Sequence, residues 1–123
     1  MDPNQEKNMQ VQVHTDDHIQ GGESLAQWVQ DETKTRLARF AEYVTRVEAF
    51  LTDVDAGKSG TKDKRCRLEA RVAGRPPVSV TADADKMAAA VTDAIDKITR
   101  VLDADLGRAK DRNGRDTIRA AQE

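Results

Sequence analysis

The sequence predicts an α+β fold of order β-α-β-β-β-α, a two-layer sandwich in which two helices pack side by side on one face of a four-stranded sheet. Two observations carry this. Apolar residues recur at period two in four short runs and at the helical period in two longer ones. Each run is apolar on one side only, so the packing that buries all six stripes lays both helices on the same sheet face and leaves the other face to water.

The first run, "MQVQVHT", sets Met9, Val11 and Val13 against Gln10, Gln12 and His14, a strand with one buried face. Gly21 and Gly22 break it. Ser24 and Gln27 fit an S-x-x-Q capping box, whose hydroxyl and amide can satisfy free N–H groups at a helix start. A helix over about Leu25 to Val44 then places Leu25, Trp28, Val29, Leu37, Phe40 and Val44 near one stripe. Beyond Thr45 the period returns to two, with Val47, Ala49 and Leu51 alternating with Glu48 and Phe50 as far as the turn-rich "DVDAGKSGTKDK". In "RCRLEARVAG", Cys66, Leu68, Ala70 and Val72 share one face and Arg65, Arg67, Glu69 and Arg71 the other. Pro76 and Pro77 make a tight connection to a fourth strand through Val78, Val80 and Ala82. From about Asp85 the pattern is helical again, with Met87, Val91, Ile95, Ile98 and Leu102 inward and Gly107 as the expected stop.

A chain of 123 residues supplies one core. The reading is a flexible stretch over 1–8, a single domain over 9–107, and a polar tail over 108–123 expected to be frayed or disordered. Aromatics make up only 3% of the chain, so Val, Ile, Leu and Ala must fill the core. No basic and apolar leader opens the sequence and no run of eighteen apolar residues occurs, which points to a soluble cytoplasmic protein with no membrane partner. Cys66 is the single cysteine, so no internal disulfide can form and its place on an alternating strand makes it a small hydrophobe.

Net charge is -2, against the strong positive excess of a general nucleic-acid binder, but its distribution is uneven. Residues 45–82 hold eight Lys and Arg against five Asp and Glu, and 107–123 hold five against three, whereas 1–24 hold one against five and 83–106 three against six.

Several motifs fail on inspection. "GKS" at 57–59 lacks the first glycine of a phosphate loop, because position 52 is Thr52. "DVDAGKSGTKDK" has Lys58 where a calcium loop needs glycine and Lys64 where it needs glutamate. Both read as a mobile hairpin loop. His14 and His18 lie at a strand end without a third ligand, so no metal site is expected. No nucleophile motif argues for an enzyme, and neither a cofactor nor a small-molecule substrate is implied.

The element order, the stretch "VSVTADADKMAAAVTDAIDKITRVL" and the earlier "RLARFAEYV" resemble the ribosome hibernation promoting factor family, also called ribosome-associated inhibitors or sigma-54 modulation proteins. The similarity covers roughly residues 9 to 110, and in "DKMAAAVTDAIDKITRVL" Met87, the alanines, Ile95, Asp96, Lys97, Arg100 and Leu102 fall in the family's register. The resemblance implies a non-enzymatic stress factor that docks in the small ribosomal subunit between head and body, where messenger and transfer RNA would sit, and so blocks translation. Carried over by position, it implies that Arg36 and Arg39 on the first helix and Lys97 and Arg100 on the second face ribosomal RNA phosphates. Arg108 and Lys110 lie in the family's basic C-terminal region. The chain ends soon after the second helix, as in the family's short form. It departs from the family at Asp103, Ala104 and Asp105, where Lys or His is common.

At about 100° per residue, positions 97, 100, 104 and 108 share a helix face. The expected basic ridge is therefore Lys97, Arg100 and Arg108 across a neutral Ala104, with Asp103 and Asp105 exposed and lying off the ridge. The same charges also suit solvated i,i+4 pairs, Asp93 with Lys97 and Asp96 with Arg100. Arg65, Arg67 and Arg71 form a row on the open sheet face which, without stacking aromatics, reads as a solvated or accessory surface. Two functions remain: ribosome binding by the helical face, or a protein-interaction or regulatory module of the same fold with weak or no RNA binding.

Overall fold

The computed structural model describes residues 9–16, 22–54 and 63–122, with side chains described as far as Gly107. Six main elements follow in the expected order: β1 (Gln10–Thr15), α1 (Gly22–Arg36), β2 (Val44–Asp53), β3 (Lys64–Val72), β4 (Val78–Ala84) and α2 (Met87–Gln122). The strands lie in sequence order across one sheet. β1 runs parallel to β2 and the other neighbours are antiparallel. The parallel pair needs a crossover, which α1 provides while packing on β1; α2 packs on β3 and β4.

Alternation decides which face is buried. Between β2 and β3, Val47 pairs with Ala70, Ala49 with Leu68 and Leu51 with Cys66, and all six side chains are buried. Val29 of α1 and Val91, Ile95, Ile98 and Leu102 of α2 close over them. The register slips between Val44 and Arg46. This bulge inserts Thr45 into β2 and lets Val44 and Val47, three residues apart, both face the core. Burial pushes the Cys66 thiol up to about 12, so at neutral pH it is an inert apolar group.

Three boundaries differ from the expectation. α1 ends at Arg36; Leu37 leaves helical geometry and a 3-10 turn at Ala38–Phe40 buries Phe40 before the chain enters β2 at Val44. Leu37 and Phe40 sit three apart, a spacing that a 3-10 turn shares with an α-helix, which is why the pattern read as one helix to Val44. Ser24 and Gln27 form no capping box: α1 already begins at Gly22, and the Gln27 amide donates to Asp31 Oδ1 at 2.9 Å. α2 runs through Gly107 to Gln122 instead of stopping there. Trp28, expected in the core stripe, is 37% exposed.

Thr33 of α1 is fully buried, and its Oγ1 has no hydrogen-bond partner among the described residues. An unpaired buried hydroxyl costs its desolvation, so Thr33→Val should raise stability by about 1 kcal/mol. The expected readout is a higher urea midpoint at unchanged m; a fall would show that the hydroxyl is satisfied.

Candidate nucleic-acid interface

The cations read from the sequence lie on the helical layer, but not as a free basic ridge. Arg36, at the end of α1, donates through Nη2 to Asp96 Oδ1 of α2, and its Nη1 lies 3.9 Å from Glu32. Arg39, in the 3-10 turn, donates through Nη2 to Asp103 Oδ2 at 2.6 Å, with its guanidinium 4.6 Å from the centre of the Phe40 ring. Asp96 and Asp103 are seven residues apart, two helical turns, so both project from one side of α2 toward α1 and its following turn. The helices are thus tied by two arginine–carboxylate pairs.

Lys97 turns the other way. Its Nζ donates to the Thr81 carbonyl at 2.8 Å, on the edge strand β4. Arg100 is exposed and makes no hydrogen bond or ion pair with another described residue. Arg108 and Lys110 fall in the part of α2 whose side chains lie outside the described residues.

These positions correct the charge reading. Neither Asp93–Lys97 nor Asp96–Arg100 is a pair among the described side chains, because Asp96 reaches across to Arg36 and Lys97 to the β4 edge. Asp103 does not merely lie beside a cationic ridge; it is the partner of Arg39. Asp105 is half-buried, not exposed, and its carbonyl lies 3.4 Å from Arg75 Nη1. The paired groups remain wet, with 34% and 42% of the Arg36 and Asp96 side chains exposed and 59% and 48% of Arg39 and Asp103. Such pairs contribute about 0.2–1 kcal/mol each. A phosphate can therefore compete with the carboxylate for either guanidinium.

The helix-free sheet face also differs from its sequence reading. Phe50 stands there with His14 stacked against it, ring centres 4.8 Å apart and planes 14° apart. The Arg67 guanidinium lies 4.9 Å from the Phe50 ring centre. The register makes this row: His14 opposes Phe50 across the parallel pair, and Arg67 opposes Phe50 across the antiparallel one. Stacking aromatics are therefore present. Around the row, Arg65 grips Asp83 through Nε and Nη2 at 2.8 and 3.1 Å, which raises its pKa further through hydrogen bonding and charge. Arg67 Nη2 donates to Glu69 at 2.8 Å, and Arg46 Nη2 lies 3.1 Å from Glu48.

Among the described residues, no three His, Cys, Asp or Glu side chains are grouped to hold a metal, and no helix is long and apolar enough to cross a membrane.

Comparison with known proteins agrees with this architecture. A ribosomal subunit interface protein from Coxiella burnetii superposes at a TM-score of 0.55 with 15% identity, covering 83% of this chain and 98% of its own. The N-terminal domain of Thermus thermophilus Protein Y superposes at 0.51 with 17% identity, covering 73% and 91%. At these identities the likeness is one of fold. No curated protein matches the sequence. The family model of the sigma 54 modulation protein / S30EA ribosomal protein matches residues 11–110. That match runs from the second residue of β1, through both helices and all four strands, into the distal half of α2, and the chain belongs to the sigma 54 modulation protein / S30EA ribosomal protein family.

Proposed function

We propose that this protein is a non-enzymatic ribosome hibernation factor of the cytoplasm. It binds ribosomal RNA of the small subunit in the channel for messenger and transfer RNA and blocks translation under stress. Family membership over residues 11–110 is the observation that carries this reading. The helical layer supplies the contacts: Arg36, Arg39, Lys97 and Arg100, continued along α2 by Arg108 and Lys110. Arg36 and Arg39 exchange an exposed carboxylate for a phosphate, whose oxygens accept the same guanidinium fork. Arg100 needs no exchange, and Lys97 gives up one backbone carbonyl.

Co-sedimentation with purified small subunits at graded salt tests this. Association should fall linearly on a log–log plot as salt rises, and Lys97→Glu/Arg100→Glu should reduce the slope by about two units, one per lost phosphate contact. A flat slope, or one unchanged in the variant, overturns the helical-face mechanism. The pairing of Arg36 and Arg39 with Asp96 and Asp103 favours a second reading, a regulatory or protein-interaction module of the same fold; it expects no co-sedimentation at any salt.

A further inference from the structure

We infer that the helix-free sheet face is a second RNA surface, which takes single-stranded RNA by stacking bases on the His14–Phe50–Arg67 row and holding phosphate at Arg46 and Arg71. The inference stands on the sheet alone and does not depend on the helical face.

Three strands contribute three flat groups to one row, and its outer members stay accessible, with 47% of the His14 and 46% of the Arg67 side chain exposed. β1 is an edge strand, so among the described residues no further strand lies beside the His14 ring on the side away from Phe50. A base placed there extends the stack by one layer. Every base has a π-face, so such a platform reads strandedness more than sequence. In a duplex the bases are already stacked on one another and cannot enter.

The charges point to an anion. Arg46 and Arg71 are directly opposite in the β2–β3 register, and like charges so placed repel, which favours an anion beside them. Arg46 shares one nitrogen, Nη2, between Gln12 at 2.7 Å and Glu48 at 3.1 Å; its Nε is buried, and its Nη1 has no partner among the described residues to compete with a phosphate. Arg71 is exposed, and its side chain has no ion pair with a described residue. Among the described residues of the four strands, Arg46, Arg65, Arg67 and Arg71 on this face outnumber Glu48, Glu69 and Asp83. The Arg46–Arg71 pair lies four residues along β2 from the stacked row, about 13 Å. A strand of a few nucleotides spans that distance with a phosphate at one end and a stacked base at the other.

The test titrates the full chain with a labelled single-stranded oligoadenylate of about eight nucleotides, and with the same strand paired to oligouridylate. The single strand should bind saturably and the duplex much more weakly. His14→Ala/Phe50→Leu should weaken single-strand binding about tenfold, the loss of roughly one stacked base. Arg71→Glu should also weaken it, whereas Lys97→Glu/Arg100→Glu should change it less than the sheet variants do. Thermal melts establish that each variant is folded. Should the double variant not fold, the wild-type His14 imidazole proton resonances decide: movement on adding oligoadenylate supports the surface, and silence at saturation overturns it. Equal binding of duplex and single strand, or an equal loss in the helix variant, also overturns it. Failure to sediment with small subunits leaves this result intact, so the two surfaces are judged separately.

Discussion

Asp96→Asn/Asp103→Asn should bind the small ribosomal subunit roughly tenfold more tightly than the wild type at matched low salt. The two carboxylates hold Arg36 and Arg39, and each stands where a phosphate taken by those guanidinium groups would come. A carboxylate about 6 Å from a phosphate repels it by about 0.7 kcal/mol in water, so removing two gains about 1.4 kcal/mol, a factor of ten. Asparagine keeps the shape and an oxygen to accept the arginine N–H. The exposed pairs contribute about 0.2–1 kcal/mol each, so the fold should survive. Lysine at position 103 would be a poorer test, because it would set a cation against Arg39. The comparison needs an unrelated RNA duplex beside the subunit: a selective gain for subunits fits a channel-binding surface, and an equal gain for both RNAs fits loose attraction only. The gain should shrink as salt rises, because exposed charges are screened within about 8 Å at physiological ionic strength.

Leu68→Ala should destabilise the fold by about 3 kcal/mol. Leu68 is fully buried at the middle of β3, opposite Ala49 of β2 and Val80 of β4. Alanine on one side cannot expand into the space, so the truncation leaves a cavity as well as losing apolar burial. The measurement is urea unfolding, with a lowered midpoint at unchanged m. A cost below about 1 kcal/mol would mean that the sheet–helix interface closes up around the smaller side chain.

The strands and α2 were legible because each has a single apolar face and a clear period, from Val47, Ala49 and Leu51 to Val91, Ile95, Ile98 and Leu102. The end of α1 was not. Leu37 and Phe40 keep helical phase through a 3-10 turn in which both side chains are buried, so the apolar spacing runs on past the end of the helix. Gly107 looked like a helix stop because glycine favours helix ends, yet the helix passes through it, at a cost of about 1 kcal/mol relative to alanine.

For the candidate site, sequence located the cations but not their partners. Arg36 and Asp96 are sixty residues apart and Arg39 and Asp103 sixty-four, so no local spacing joins them. The nearer pairs, Asp93 with Lys97 and Asp96 with Arg100, fitted the i,i+4 rule but lost to the contact between the two helices and to the β4 edge. Phe50 was legible as outward-facing from its alternation with Leu51. Its stack with His14 and Arg67 required the registers of β1 on β2 and β2 on β3, which no single strand encodes.

Chemical footprinting of small-subunit RNA with and without the protein should show protection of the RNA lining the channel between head and body, lost in Lys97→Glu/Arg100→Glu and strengthened in Asp96→Asn/Asp103→Asn. Protection elsewhere on the subunit, or protection that both variants leave unchanged, would contradict channel binding by the helical face.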